Sequence, residues 1–384
     1  MATGVNDSYS TVSGGSIYAG LFAPALIPAY IESMAVGTWD YINPSSTIVA
    51  LDPEDDVGVN PNYPSDAPWH GVIGLASMVL AWSGAKWDEA NKRLIVFGGG
   101  HTDYAGNEVY SWDGSSGTFS RLTNPTGAIG NTGTLNDGLD SSCVYFDGQP
   151  RSFHTYNQFA VRNGVVWNFG GSVYNSGNSV SRPFYFTGTS WVRNHDVSVG
   201  VGFGAACYDS IRDIFWFKSS GTSQPTKYDP NTGLVTTHPT YINGTTYCHL
   251  FHDPARDIIL SFQDDLHVLL PDDGLDAVKP PVSGTPIQAA LGHIGVAYDS
   301  INDRYLFWNG GTDIYTLTPP TIGSNYKTAT WAWGIIALDG SNAVTPSAAE
   351  SNGTYGRFWY SEQYKACGVF NSISQGMYVF RLGA

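Results

Sequence analysis

The stretch Gly98-Gly99-Gly100-His101-Thr102-Asp103-Tyr104-Ala105-Gly106-Asn107-Glu108-Val109-Tyr110 decides the fold. An apolar run, residues 93–97 (RLIVF), leads into it, and a second, residues 108–112 (EVYSW), leads out. Strand, paired glycines, polar loop and returning strand describe the middle of a four-stranded antiparallel unit. Glycine suits a point where strands crowd and leave no room for Cβ.

Worn copies of this unit recur. The first hairpin of each reads WDEANKR at 87–93, YDSIRD at 208–213, HDPARD at 252–257 and YDSIND at 298–303. An Asp opening such a turn bonds a nearby backbone N–H, so its role is structural. A tighter Arg162-Asn163-Gly164 turn replaces it once, and residues 360–364 (YSEQY) carry a degraded form. A hydrophobic strand follows every hairpin, and three of these strands end in paired glycines, at Gly98-Gly99, Gly170-Gly171 and Gly310-Gly311. The units begin near residues 72, 150, 202, 246, 292 and 353. The expected fold is an all-β propeller of four-stranded blades over residues 37–384, with six blades, or seven as the alternative. The fourth blade is the poorest, because Lys279-Pro280-Pro281 makes an unconvincing outer strand.

Residues 37–42 (GTWDYI) resemble the closing strands at 117–122, 189–193 and 330–335, yet they precede the first unit. The last unit stops at Leu382 without such a strand. The expectation is ring closure, with strand 37–42 completing the last blade and leaving no open edge. Residues 1–36 form a separate N-terminal arm. Its segment 17–34 is apolar and carries the chain's one plausible helix, interrupted by Pro24 and Pro28. It reads as a strap on the propeller's side or as an arm that docks a partner.

Composition agrees with short strands and tight turns: 14% aromatic, 13% charged and 45 glycines in 384 residues. The net charge of −15, with no basic cluster, argues against nucleic acid and anionic membrane surfaces. No apolar run approaches the ~18 residues of a membrane span. The stretch 1–16 lacks a basic signal-peptide region, so an extracellular role implies another exit, such as packaging into a virion. Cys143, Cys207, Cys248 and Cys367 are not at metal-site spacing and read as unpaired thiols, three of them within strands. Two long insertions, 47–70 and 124–150, belong on the same face as the loops after the paired glycines. The acidic residues of the first, Asp52, Glu54, Asp55, Asp56 and Asp66, match no calcium-loop spacing. No cofactor or metal is expected.

The repeat resembles kelch-type propellers and the central domain of galactose oxidase. Residues 81–113 (AWSGAKWDEANKRLIVFGGGHTDYAGNEVYSWD), with Arg151-Ser152-Phe153-His154-Thr155-Tyr156 leading into Phe169-Gly170-Gly171, are similar to a group of uncharacterised bacterial and phage kelch-like proteins. The resemblance is strong over 37–195 and holds at repeat level beyond. It implies a binding or structural module, with a phage tail or fibre protein foremost. Copper-oxidase chemistry is excluded. The galactose oxidase site has a tyrosine followed directly by a histidine, and this chain has no Tyr-His dipeptide.

Propeller geometry gathers His101, Asp103, Tyr104, Asn107 and Glu108 on the glycine-marked face. It adds His154, Tyr156 and Arg151, then His249 and His293, then Tyr355 and Arg357. Two functions follow. Aromatic rings with Asp, Asn and His suit a glycan or cell-surface receptor, while residues 1–36 dock other virion proteins. Alternatively a polysaccharide lyase or hydrolase would take its base from His154, Tyr156 or His101 and neutralise a uronate with Arg151 or Arg357. A cellular kelch-type scaffold is the third reading.

Overall fold

The computed structural model describes residues 27–61, 69–127, 143–174, 179–200, 202–219, 221–244 and 247–383. Six antiparallel sheets form a six-bladed β-propeller. Blade one runs outward through Ala85–Asp88, Arg93–Val96, Tyr110–Asp113 and Thr118–Arg121. Inner strands of blades two to six are Phe159–Arg162, Ala205–Asp209, His249–Asp253, Gly295–Asp299 and Phe358–Ser361. A small extra sheet, Phe153–His154 with Gly171–Val173 and Ser179–Val180, stands ahead of blade two.

Closure occurs as the strand pattern predicts. Trp39–Ile42 pairs antiparallel with Met377–Arg381, with Trp39 opposite Phe380 and Ile42 opposite Met377. The ring is locked by side chains as well. Trp39 packs edge-on to Phe380 at 5.3 Å, and its indole N–H donates to the Thr312 carbonyl of blade five at 2.9 Å. The fourth blade departs from four strands. It keeps His249–Asp253, Ile258–Phe262 and Leu266–Leu269, followed by a single bridge between Val268 and Val278. Pro280 and Pro281 lack the N–H groups a ladder needs. The next strand, Val282–Ser283, pairs parallel with Trp331–Ile335 of blade five instead.

The repeat is visible in the backbone. Lys92, Asn163, Asp213, Asp257, Asp303 and Lys365, one in each inner hairpin, all take a left-handed φ of 47–53°. The hairpin aspartates act as expected. The Asp209 carboxylate accepts from the N–H groups of Ile211 and Arg212, and Asp253 from those of Ala255 and Arg256. A second set of aspartates bridges blades. Arg162 makes a forked pair with Asp213, Arg212 with Asp257, and Arg256 with Asp303. Beyond them Ser300 bonds Glu362, and Ser361 bonds Glu89. Five of the six seams are thus stitched on the hairpin face, which marks that face as structural. Aromatic packing fills the seams, as where Trp87 stacks on Trp359 at 4.4 Å between blades one and six.

Residues 27–34 lie along blades one and six. Ile31 and Met34 are buried there, Tyr30 donates to the Gly114 carbonyl, and Arg381 donates to the carbonyls of Glu32 and Met34. A single helical turn, Ala29–Glu32, is all that forms of the expected helix within this part. The remainder of the arm, 1–26, lies outside the described residues.

Candidate functional site

The glycines of the opening stretch let two blades touch. Gly100 has φ +63°, and a Cβ there would collide with the backbone of Phe153 and His154. The Gly99 N–H donates to the Phe153 carbonyl at 2.9 Å and the Gly100 N–H to Ser152 Oγ at 2.8 Å. This contact carries His101 and Asp103 over to His154. Asp103 Oδ2 lies 2.7 Å from His154 Nε2, and the His101 and His154 rings stack at 5.6 Å. Burial lowers the His154 pKa, outweighing the neighbouring carboxylate, so the imidazole is neutral at pH 7.

A ring of aromatic side chains closes the channel mouth beside this pair. Each blade supplies one, two or three residues ahead of its inner strand: Trp82, Tyr156, Phe203, Tyr247, His293 and Tyr355. Tyr156 stacks with Tyr247 at 5.6 Å and meets Phe203 edge-on at 5.4 Å. Tyr247 meets His293 at 4.3 Å, and Tyr355 lies within 6.1–6.5 Å of Tyr156, His293 and Tyr247. Trp82 packs on His154 at 5.3 Å. Tyr156 and Tyr355 are buried and form the floor, whereas Trp82, Phe203, Tyr247 and His293 are partly exposed and form the wall. Three of the ring residues, with His101, hold φ of 47–50°. Bulky side chains avoid this region at a cost of about 1–3 kcal/mol each, and such strain gathers at binding sites.

The remaining sequence candidates divide. His293 joins the wall. His249 sits below it, with Nε2 2.8 Å from the Ile294 carbonyl, and burial pushes its pKa down to about 3. Tyr104, Asn107 and Glu108 turn inward. The Tyr104 hydroxyl donates to Glu108 at 2.7 Å, and Asn107 ties Thr126 to the Pro150 carbonyl. Arg151 is buried against Val144 and Tyr145. Arg357 is fully buried, with donors directed to the carbonyls of Val79, Ser83 and Gly353. Both guanidinium groups are directed at backbone carbonyls, so neither stands ready for a uronate. Burial also raises the Tyr156 phenol pKa, so the phenol keeps its proton.

Trp82, Phe203 and Tyr247 are additions to the sequence reading. Their signal was an aromatic residue just ahead of every inner strand, at a spacing that shifts between two and three. The insertion 47–70 does reach this face where it is described: the N–H of Ala105 bonds the Trp69 carbonyl, and those of Ile73 and Gly74 bond Asp103. Among the described residues, no three His, Cys, Asp or Glu side chains converge as metal ligands. The four cysteines are buried thiols.

No family model matches the chain, and no curated protein does. Among solved structures, a structural genomics protein of unknown function from Bacteroides thetaiotaomicron aligns over 89% of this chain and 74% of its own, at 12% identity and TM-score 0.51. An auxiliary nutrient binding protein from Bacteroides ovatus aligns over 78% and 69%, at 9% identity and TM-score 0.47. The chain is a β-propeller. At these identities the likeness is one of fold.

Proposed function

We propose that this propeller is a non-enzymatic, kelch-type binding module that holds a glycan on its aromatic ring. Its setting in this reading is a phage virion, as a tail or fibre component. The reading rests above all on the six-blade aromatic ring, half-open at the wall and edged by His101 and Asp103. Sugar C–H bonds pack on ring faces, whose quadrupole is negative, and the hydroxyls find the polar edge. The virion setting draws on the phage members of the kelch-like group that residues 81–113 resemble and on the acidic, charge-poor composition.

The Asp103–His154 pair supports a second reading, a carbohydrate-active enzyme. A neutral imidazole oriented by a carboxylate is a serviceable base. Against it stand the guanidinium groups, already directed at backbone carbonyls, and the protonated Tyr156. Calorimetry of the best ligand from a glycan panel separates the two. The binding reading expects Tyr247→Ala to weaken affinity about tenfold, roughly one aromatic contact, with the glycan recovered intact. Release of unsaturated uronate or new reducing ends, abolished by His154→Ala, would replace it with the enzyme.

A further inference from the structure

Beneath the aromatic ring the inner strands enclose an axial channel, and one cation stands in it. Lys86, on the inner strand Ala85–Asp88, borders two adjoining spaces. The larger measures about 150 Å³ and is walled by Trp87, Phe251, Tyr298, Phe358 and Trp359 among others. The smaller includes His249 and Asn157. Among the described residues, the Lys86 ammonium has no hydrogen-bond or ion-pair partner.

Three other sheltered cations find partners. Lys218 donates to the carbonyls of Ser219 and Gly221, Arg256 pairs with Asp253 and Asp303, and Arg357 reaches three carbonyls. Lys86 has none of these partners, in a chain with 33 acidic residues against 18 basic ones. The ionisable groups nearest to it bring no negative charge. Burial raises the Cys207 thiol, and His249 is held neutral with one nitrogen at the Ile294 carbonyl. Lys86 is half-buried, and an ammonium held beside apolar walls with no protein counter-charge attracts an anion from the solution that reaches it.

We propose that the channel at Lys86 binds a small monovalent anion, a halide or a carboxylate of acetate size. Liquid water occupies about 30 Å³ per molecule, so the larger space holds roughly five waters, or an acetate or hydrated halide. A hexose derivative does not fit. The single lysine sets the charge at one.

Thermal unfolding of the full chain at matched ionic strength tests this, in sodium gluconate (too bulky for the space), chloride, bromide and acetate. Wild type is expected to melt several degrees higher in whichever small anion binds than in gluconate, and this comparison separates halide from carboxylate. Lys86→Met should lose the difference and Lys86→Arg keep it. Crystals grown in bromide should show an anomalous peak beside Lys86 Nζ, which decides the matter even if Lys86→Met fails to fold. Equal anion shifts in wild type and Lys86→Met, or an empty channel at saturating bromide, would overturn the proposal and leave Lys86 to solvent water.

Discussion

Gly100 and Glu108 show how differently two residues of one loop can be read. Gly100 is legible because glycine itself signals the constraint: φ is positive, and the backbone of Phe153 and His154 leaves no space for a Cβ. Gly100→Ala should cost about 2–4 kcal/mol and part the seam between blades one and two, measurable by urea unfolding. Glu108 was not legible, since a carboxylate in a polar loop looks the same whether it faces in or out. It is buried, and desolvation raises its pKa to about 7 from 4.5. A raised carboxyl pKa favours the protonated fold, so its stabilising effect is full below about pH 4.5 and is lost as pH climbs through 7. The loss is roughly 3 kcal/mol from the shift. Glu108→Gln should flatten the stability decline between pH 5 and 8. His249 works in the opposite direction. Its depressed pKa favours the neutral form, so stability falls as pH drops from about 6.5 toward 3, and His249→Gln should reduce that acid slope. Arg151 and Arg357 were out of reach of sequence reasoning for another reason. The Arg357 partners include carbonyls nearly 280 positions away, and no spacing rule announces them.

At the scale of elements, local chemistry carried most of the fold. Hairpin aspartates, the Asn163-Gly164 turn and alternating strands are short-range signals, and the structure places each as its local chemistry requires. Ring closure was legible from one misplaced strand. Trp39→Ala should cost about 3–5 kcal/mol, read as a fall in unfolding midpoint, because it empties a buried site and opens the final seam together. The incomplete fourth blade was foreshadowed by its prolines, but the parallel pairing of Val282–Ser283 with blade five was not, since it depends on a neighbouring edge. The described part of the arm, residues 27–34, belongs to the core, so removing 1–36 would disturb folding, whereas removing 1–26 alone tests docking. The virion reading expects the shorter truncation to remain a folded propeller that fails to enter its assembly. Normal incorporation would set the arm's docking role aside.

For the whole molecule, the two faces have separate work. Arg–Asp forks and hairpin turns knit one face together, while the glycine-marked face brings a single aromatic from each blade around the channel mouth. That ring is an emergent feature of six-fold assembly. Its members are spread from Trp82 to Tyr355 and become a site only when the circle closes. Face geometry alone brings His101, Asp103, His154, Tyr156, His293 and Tyr355 to it. Trp82, Phe203 and Tyr247 do not stand out in the sequence, because an aromatic ahead of a strand looks the same whether it packs in a core or lines an opening. The most direct test is a glycan panel probed with intact protein and with a Trp82→Ala/Tyr247→Ala double variant. The account predicts that wild type binds a defined subset of glycans, leaves them uncleaved, and loses them in the double variant while the variant's fold is retained. Undiminished binding by the double variant, or cleavage of the bound glycan, would contradict it.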